Sequence, residues 1–309
     1  SKLHPDKLEN SYFDYEWRSD NKLPITVFHK VEERDSCMRL TVQLTAAQDV
    51  YFNYRQLLST GYRHDNCQFY MPGFWYRRNL RSPKKAPSFH TSDSWLVRED
   101  RLSAPLTGIF SEKEKRFMTV NRLDDFSMDA LATHKEGEII LSGKTSLGFT
   151  GFENQQGIAM LSFGFPYREA PKSYIRKLTL APEVEAFQLM KKGESVLLTW
   201  EIMESGADDF SDFIQHTWEH CYDTYAPKPV ENSYSIADMK QVLSCFFVNS
   251  LVDNQPLVYN SGIHLKVSDC ERNGQAEVGF IGRVLLNAFN AWEYGWQSNR
   301  EELKVNSTK

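Results

Sequence analysis

A chain of 309 residues, 41% hydrophobic and 25% charged, has the apolar material for a sizeable core and reads as one large or two ordinary globular domains. Its formal charge of -5 lacks the basic excess by which nucleic-acid proteins displace counterions, so no nucleic-acid partner is expected, and no run of about 18 apolar residues offers a helical membrane span. Aromatic residues reach 13%, with 7 Trp, 14 Tyr and 20 Phe, a share that suits a strand-rich or sugar-binding protein.

The opening Ser1-Lys2-Leu3 is polar, as in a mature or trimmed chain, with no secretory leader pattern. From Ser11 to about Glu204 the hydrophobic period is that of strands. Phe13, Tyr15 and Trp17 alternate with Tyr12, Asp14 and Glu16, and the same pattern predicts strands at 25–28, 38–44, 50–54, 95–99, 107–110, 117–121, 138–141, 157–165, 183–190 and 195–202. Gly137, Gly143 and Gly193 stand where tight turns would need positive φ. More than ten strands without interleaved helices point to antiparallel sheets stacked as a large sandwich.

Within this region the stretch from Met71 to Asp124 concentrates chemistry. Phe74, Trp75 and Tyr76 run directly into Arg77 and Arg78, between Pro72-Gly73 and Pro83. Flat rings stack on pyranose faces and guanidinium forks grip anionic oxygens, so Trp75, Tyr76, Arg77 and Arg78 are candidate substrate-binding residues. The plainer alternative is that Phe74 and Trp75 are core and the arginines solvated.

Past Ser205 the period changes. Phe210, Phe213, Ile214, Thr217, Trp218, Cys221 and Tyr225 predict a helix over 209–225, with Asp208 or Ser211 as N-cap and Pro227 and Pro229 beyond it. Ser235 and Asp238 form a near capping box for a second helix that ends before Pro256. Residues 257–273 read as irregular. The last element, 277–296, is apolar on more than one face: Val278, Ile281, Leu285, Ala288 and Trp292 on one, Phe280, Val284 and Ala291 on another. Such a helix wants several neighbours. Either the helices dock on the sandwich, or the chain is a fragment of something longer, which is the favoured expectation. The expected domains are a sandwich over 1–205, a helical linker over 206–233 and a further helical region over 234–309.

This order of elements resembles carbohydrate-active bacterial proteins that join a galactose-mutarotase-like β super-sandwich to an (α/α) toroid, as polysaccharide lyases of the heparinase and chondroitinase type and several glycoside hydrolases and phosphorylases do. The segments WLVREDRLSAPLTGIF (95–110) and GFIGRVLLNAFNAWEYGW (279–296) are similar to parts of large glycan-utilisation proteins of gut Bacteroides. The resemblance implies a mainly β fold, a large antiparallel super-sandwich followed by a helical linker and the first helices of a toroid, truncated in this chain. It implies a carbohydrate partner, the rest of its own chain as a second one, and a periplasmic or secreted location. The implied activity is glycan degradation, with glycoside hydrolysis of an anionic or complex polysaccharide ahead of a lyase reaction or a non-catalytic binding or scaffold module. Fold analogy by itself does not select the reaction.

Glycoside hydrolysis needs two carboxyl groups, one of them kept protonated. Glu277, opening the last helix, is the candidate catalytic residue, and Arg283 the candidate cation for substrate; a helix N-terminus also favours a carboxylate with no catalytic role. Asp269 and Glu271 are further carboxyl groups. A lyase would instead draw its base from His264 or Tyr259. The five cysteines, Cys37, Cys67, Cys221, Cys245 and Cys270, are widely spaced with no C-x-x-C pair, and the adjacent pairs Asp124-Asp125 and Asp208-Asp209 point apart on a strand. The expectation is no metal and no cofactor. No G-x-S-x-G, P-loop, H-E-x-x-H or G-x-G-x-x-G motif occurs.

Overall fold

The computed structural model describes residues 15–18, 24–34, 37–80, 85–124, 137–176, 178–228, 231, 234–249, 251–252, 258–259, 263–265, 270–272 and 283–308. The chain divides into two compact units, residues 1–227 and 228–309.

The first unit is mainly antiparallel β. Its large sheet runs, in spatial order, Tyr15–Arg18, Ile25–Arg34, Cys37–Ala46, Ser195–Gly206, Arg116–Arg122, Leu106–Ser111, Cys67–Met71 and Trp75–Arg77. A second sheet holds Tyr54–Arg63, Ile158–Phe165, Phe149–Gln155 and Trp95–Arg98. A smaller one joins Gly137–Ile140, Val184–Met190, Arg168–Glu169 and Val50–Phe52; its pairing of 137–140 with 184–187 is parallel.

The large sheet is covered on both faces, and alternation along its strands decides what each face receives. Phe69, Ile109, Val120, Trp200 and Ile202 point into a core shared with Trp95, Phe152, Leu161 and Phe163 of the second sheet. Tyr70, Phe110, Phe117 and Met203, at the alternate positions of the same strands, point the other way, onto a helix, α1 (Phe210–Tyr225). Cys67–Met71 is therefore buried at all five positions. Such a strand shows no polar alternation, and neither it nor Phe149–Gln155 is among the predicted strands, whereas the equally buried Trp95–Arg98 and Leu106–Ser111 are. The expected strand at 50–54 is in fact two, because the chain changes sheet at Asn53.

The predicted helix at 209–225 is α1, which docks on the sheet through Phe210, Phe213, Thr217 and Cys221 and belongs to the first unit. Phe213 meets the sheet at Gly108, where a Cβ would lie 2.5 Å from its ring, so close helix–sheet contact requires that glycine. The N-cap is neither Asp208 nor Ser211 but Asp209, which accepts from the backbone N–H of Ser211 at 2.7 Å and Asp212 at 3.0 Å. Those two bonds hold the Asp209 carboxyl below the ordinary carboxylate range. Its stabilising contribution is complete above the unfolded value of 3.8 and is lost as pH falls through the depressed folded value. Asp209→Ala is expected to lower the melting temperature and to flatten that acid limb, whereas Asp209→Asn keeps the melting temperature; thermal melts across pH 2–5 read both. Gly137 and Gly193 have positive φ, as expected; Gly143 does not.

In the second unit α2 (Ile236–Asn249) starts at the predicted box, Ser235 Oγ accepting from the Asp238 N–H and Asp238 Oδ2 from the Ser235 N–H. With α3 (Arg283–Gln297) and α4 (Glu301–Ser307) it packs around Ala291 and Leu303. Enclosure is less complete than the sequence led us to expect for α3. Ala288, Ala291 and Tyr294 face the small core, while Leu286, Phe289, Trp292 and Trp296 are exposed, because the described neighbours cover one side only. Short strands occupy parts of 257–273, read above as irregular.

Candidate functional site

The aromatic and arginine run lies at the edge of the large sheet. Trp75–Arg77 pairs with Phe69–Met71, Tyr70 opposite Tyr76 and Met71 opposite Trp75. Trp75 thereby enters the core: it is fully buried against Trp95, Phe152 and Phe89, and its indole N–H donates to the Arg77 carbonyl at 2.9 Å. It cannot line a cleft, and the substrate-binding role expected for it is corrected here. Edge position and inward pleat together make Trp75 a packing residue.

Tyr76, Arg77 and Arg78 do come together, around a solvent-open cavity of about 750 Å³ that Asp65, Gln68, Asn79 and Glu112 also line. Tyr76 is 52% exposed. Arg77 has positive φ (57°), which breaks the strand alternation and turns its guanidinium to Gln68, 2.9 Å away, and over the Phe210 ring at 4.7 Å. Arg78 donates to the carbonyls of Cys67 and Asp65 and lies 5.1 Å over the Phe89 ring. One side-chain bond leaves Arg77 most of its five N–H donors; Arg78 is the more committed of the two.

Two carboxylates share this cavity, and both are engaged. Arg63 grips Asp65 through two N–H groups at 2.9 and 3.2 Å, which holds the Asp65 carboxyl below its usual range, and Gln68 donates to Glu112. Sequence reading missed Asp65, Gln68 and Glu112. They arrive from other strands and turns, and no local signal marks them.

The remaining expected site residues belong to the second unit's stretch of the chain. Glu277 and Asp269 are outside the described residues. Arg283 opens α3, and His264, Tyr259 and Glu271 fall in short strands, with their side chains outside the described residues.

A second constellation sits under α1. Glu201 accepts from His220 Nε2 at 2.9 Å, from the Thr224 hydroxyl at 2.9 Å and from Arg39 at 3.4 Å. The His220 bond, opposed by burial, holds the Glu201 carboxyl down at about 2. The Cys37 thiol lies beside it; burial, and then Glu201, push that thiol up to about 12.

No protein-family model and no curated protein matches the sequence. Among solved structures the chain is similar to the Slr1438 protein of Synechocystis, at 7% identity and a TM-score of 0.33, over 66% of this chain and 65% of that one. It is similar to a galactose mutarotase-like protein of Clostridium acetobutylicum, at 8% and 0.34 over 66% and 65%, and to a galactose mutarotase related enzyme of Lactobacillus acidophilus, at 9% and 0.35 over 65% and 71%. The matched region thus spans less than two thirds of the first two proteins' length. Similarity of this degree carries no function across.

Proposed function

We propose that the first unit binds carbohydrate through the Tyr76–Arg77–Arg78 cavity, within a glycan-degrading protein whose following helices begin an (α/α) toroid, and that the bound sugar carries a carboxylate. The observation that supports this most is the convergence, on one open cavity, of an exposed tyrosine ring, an arginine with free donors, an amide and two ionisable carboxyl groups. A ring takes a pyranose face, guanidinium takes a carboxylate, and amide and carboxylate oxygens accept from hydroxyls. In this reading the cavity binds rather than cleaves. Glycoside hydrolysis needs a carboxyl kept protonated, and Asp65 is held in the opposite sense. Hydrolysis, and a periplasmic or secreted location, belong to the whole protein, with Glu277 as its catalytic candidate.

Calorimetric titration with an oligogalacturonate, and with the same oligosaccharide after its carboxyl groups are reduced to alcohols, tests the binding. The unmodified sugar is expected to bind more tightly, and Arg77→Ala to cost it about tenfold or more, as a charged hydrogen bond of about 1.5–3 kcal/mol requires. Tyr76→Ala should weaken both sugars alike. Unchanged affinity in a folded Arg77→Ala chain overturns the assignment. Reducing-end release by the chain, abolished in Glu277→Gln, is the result expected of a hydrolase.

A further inference from the structure

We propose that Cys37, Glu201 and His220 bind a divalent transition metal ion of the zinc class. The three come from separate elements. Cys37 opens the strand Cys37–Ala46, Glu201 lies in Ser195–Gly206, and His220 is on α1. Strand register pairs Arg39 with Glu201, so Cys37, two residues before Arg39, shares Glu201's face of the sheet. That is the face α1 covers, since Met203, two residues beyond Glu201, packs with Phe210 and Phe213. The thiol, a carboxylate oxygen and an imidazole nitrogen thus converge with all three atoms within 4.8 Å of one another.

Thiolate, imidazole and carboxylate are the three side-chain ligands of zinc, and three protein ligands leave a fourth tetrahedral position for water. Bond lengths of about 2.0–2.3 Å put tetrahedral ligand atoms about 3.3–3.8 Å apart, so the site closes by side-chain movement of roughly 1–1.5 Å. Supporting contacts are in place: Arg39 holds Glu201 Oε1, and the Thr224 hydroxyl donates to Oε2. Thiolate and carboxylate together neutralise a divalent ion in a spot where Glu201 is 5% exposed. The exchange is not a redox step. The Cys37 thiol loses its proton to solvent as the sulfur–metal bond forms. The Nε2 proton that His220 donates to Glu201 passes to solvent while the neutral ring carries its proton at Nδ1, so that the freed Nε2 lone pair binds the metal. Cysteine spacing and the adjacent aspartate pairs, the grounds for expecting no metal, carry no trace of this convergence, because the ligands come from across the sheet.

Cobalt(II) chloride titrated into the full chain reads the site directly, since a thiolate–cobalt bond adds charge-transfer absorption in the near ultraviolet. One cobalt per chain is expected, with that absorption present, removed by added zinc and retained in Cys245→Ser, which alters the exposed thiol on α2. Cys37→Ser should abolish it, and His220→Gln should weaken cobalt affinity at least tenfold. No charge-transfer absorption in the unaltered chain, or absorption that survives in Cys37→Ser, overturns the proposal. If Cys37→Ser loses its circular-dichroism spectrum, the His220→Gln titration decides, and unchanged affinity there overturns the proposal equally.

Discussion

Trp75→Ala is expected to destabilise the first unit by about 3–5 kcal/mol, the range for deleting a fully buried large aromatic side chain. Trp75 has no exposed surface, and its ring centroid lies 5.1 Å from that of Phe152, 5.7 Å from Trp95 and 6.2 Å from Phe89. Trp95 and Phe152 are paired strand residues of the second sheet, so they collapse little into the space left behind, and the Arg77 carbonyl loses its indole donor. For a unit of this size each kcal/mol moves the melting temperature by about 2–4 °C, so a fall of roughly 6–20 °C is expected. Calorimetry of the variant reads it. The same experiment separates packing from binding: a Trp75→Ala chain that melts normally yet loses sugar affinity would return Trp75 to the cavity and refute its placement in the core.

A second large loss, about 3–5 kcal/mol, is expected for Arg122→Met, because it strands a charge. Glu99 is fully buried, and one of its oxygens accepts from Arg122 at 2.6 Å and from the Gly148 N–H at 2.7 Å. Its other oxygen has no hydrogen-bond partner among the described residues. Burial pushes the Glu99 carboxyl up, against the pull of Arg122; burial likewise opposes the Arg122 charge, which Glu99 and Asp124 sustain. Removing the guanidinium raises the Glu99 carboxyl further. A raised folded value means the folded chain holds its proton longer, so the loss is small in acid and grows as pH climbs above 4.5. Arg122→Met combined with Glu99→Gln should recover much of the stability, since the second change removes the unpaired charge. Denaturant melts of the single and double variants at pH 4 and pH 8 check both points; equal stability of Arg122→Met and the parent at pH 8 refutes the argument.

The buried pair also shows where reading along the chain stops. Arg98, Glu99, Asp100 and Arg101 sit within the WLVREDRLSAPLTGIF segment, where a strand is predicted over 95–99 and nothing names the partners of these charges. In the fold each finds a partner: Arg98 with Asp100, Glu99 with Arg122, Arg101 with Glu169. Only the first pairing is local. Helix α1 was legible because its docking face repeats every three or four residues whatever it docks against, and the hairpin-forming strands with one solvated face were legible for the same reason. Burial on both faces does not hide every strand: Cys67–Met71 is missed, while Leu106–Ser111, buried at all its positions, is predicted at 107–110.

Residue order by itself determined the mainly β first two-thirds, the change to helices after Ser205, and the nearness of Tyr76, Arg77 and Arg78, all of which are properties of neighbours along a chain. Which member of the aromatic run would be swallowed, which strands would add Asp65, Gln68 and Glu112 to the arginines, and that Cys37 would meet Glu201 and His220 were decided only in three dimensions. The reason is physical. Strand register and the docking of α1 bring together groups as far apart in sequence as Arg39 and Glu201, 162 residues, and pairing at that range is set by the burial of whole sheet faces rather than by anything written near either residue.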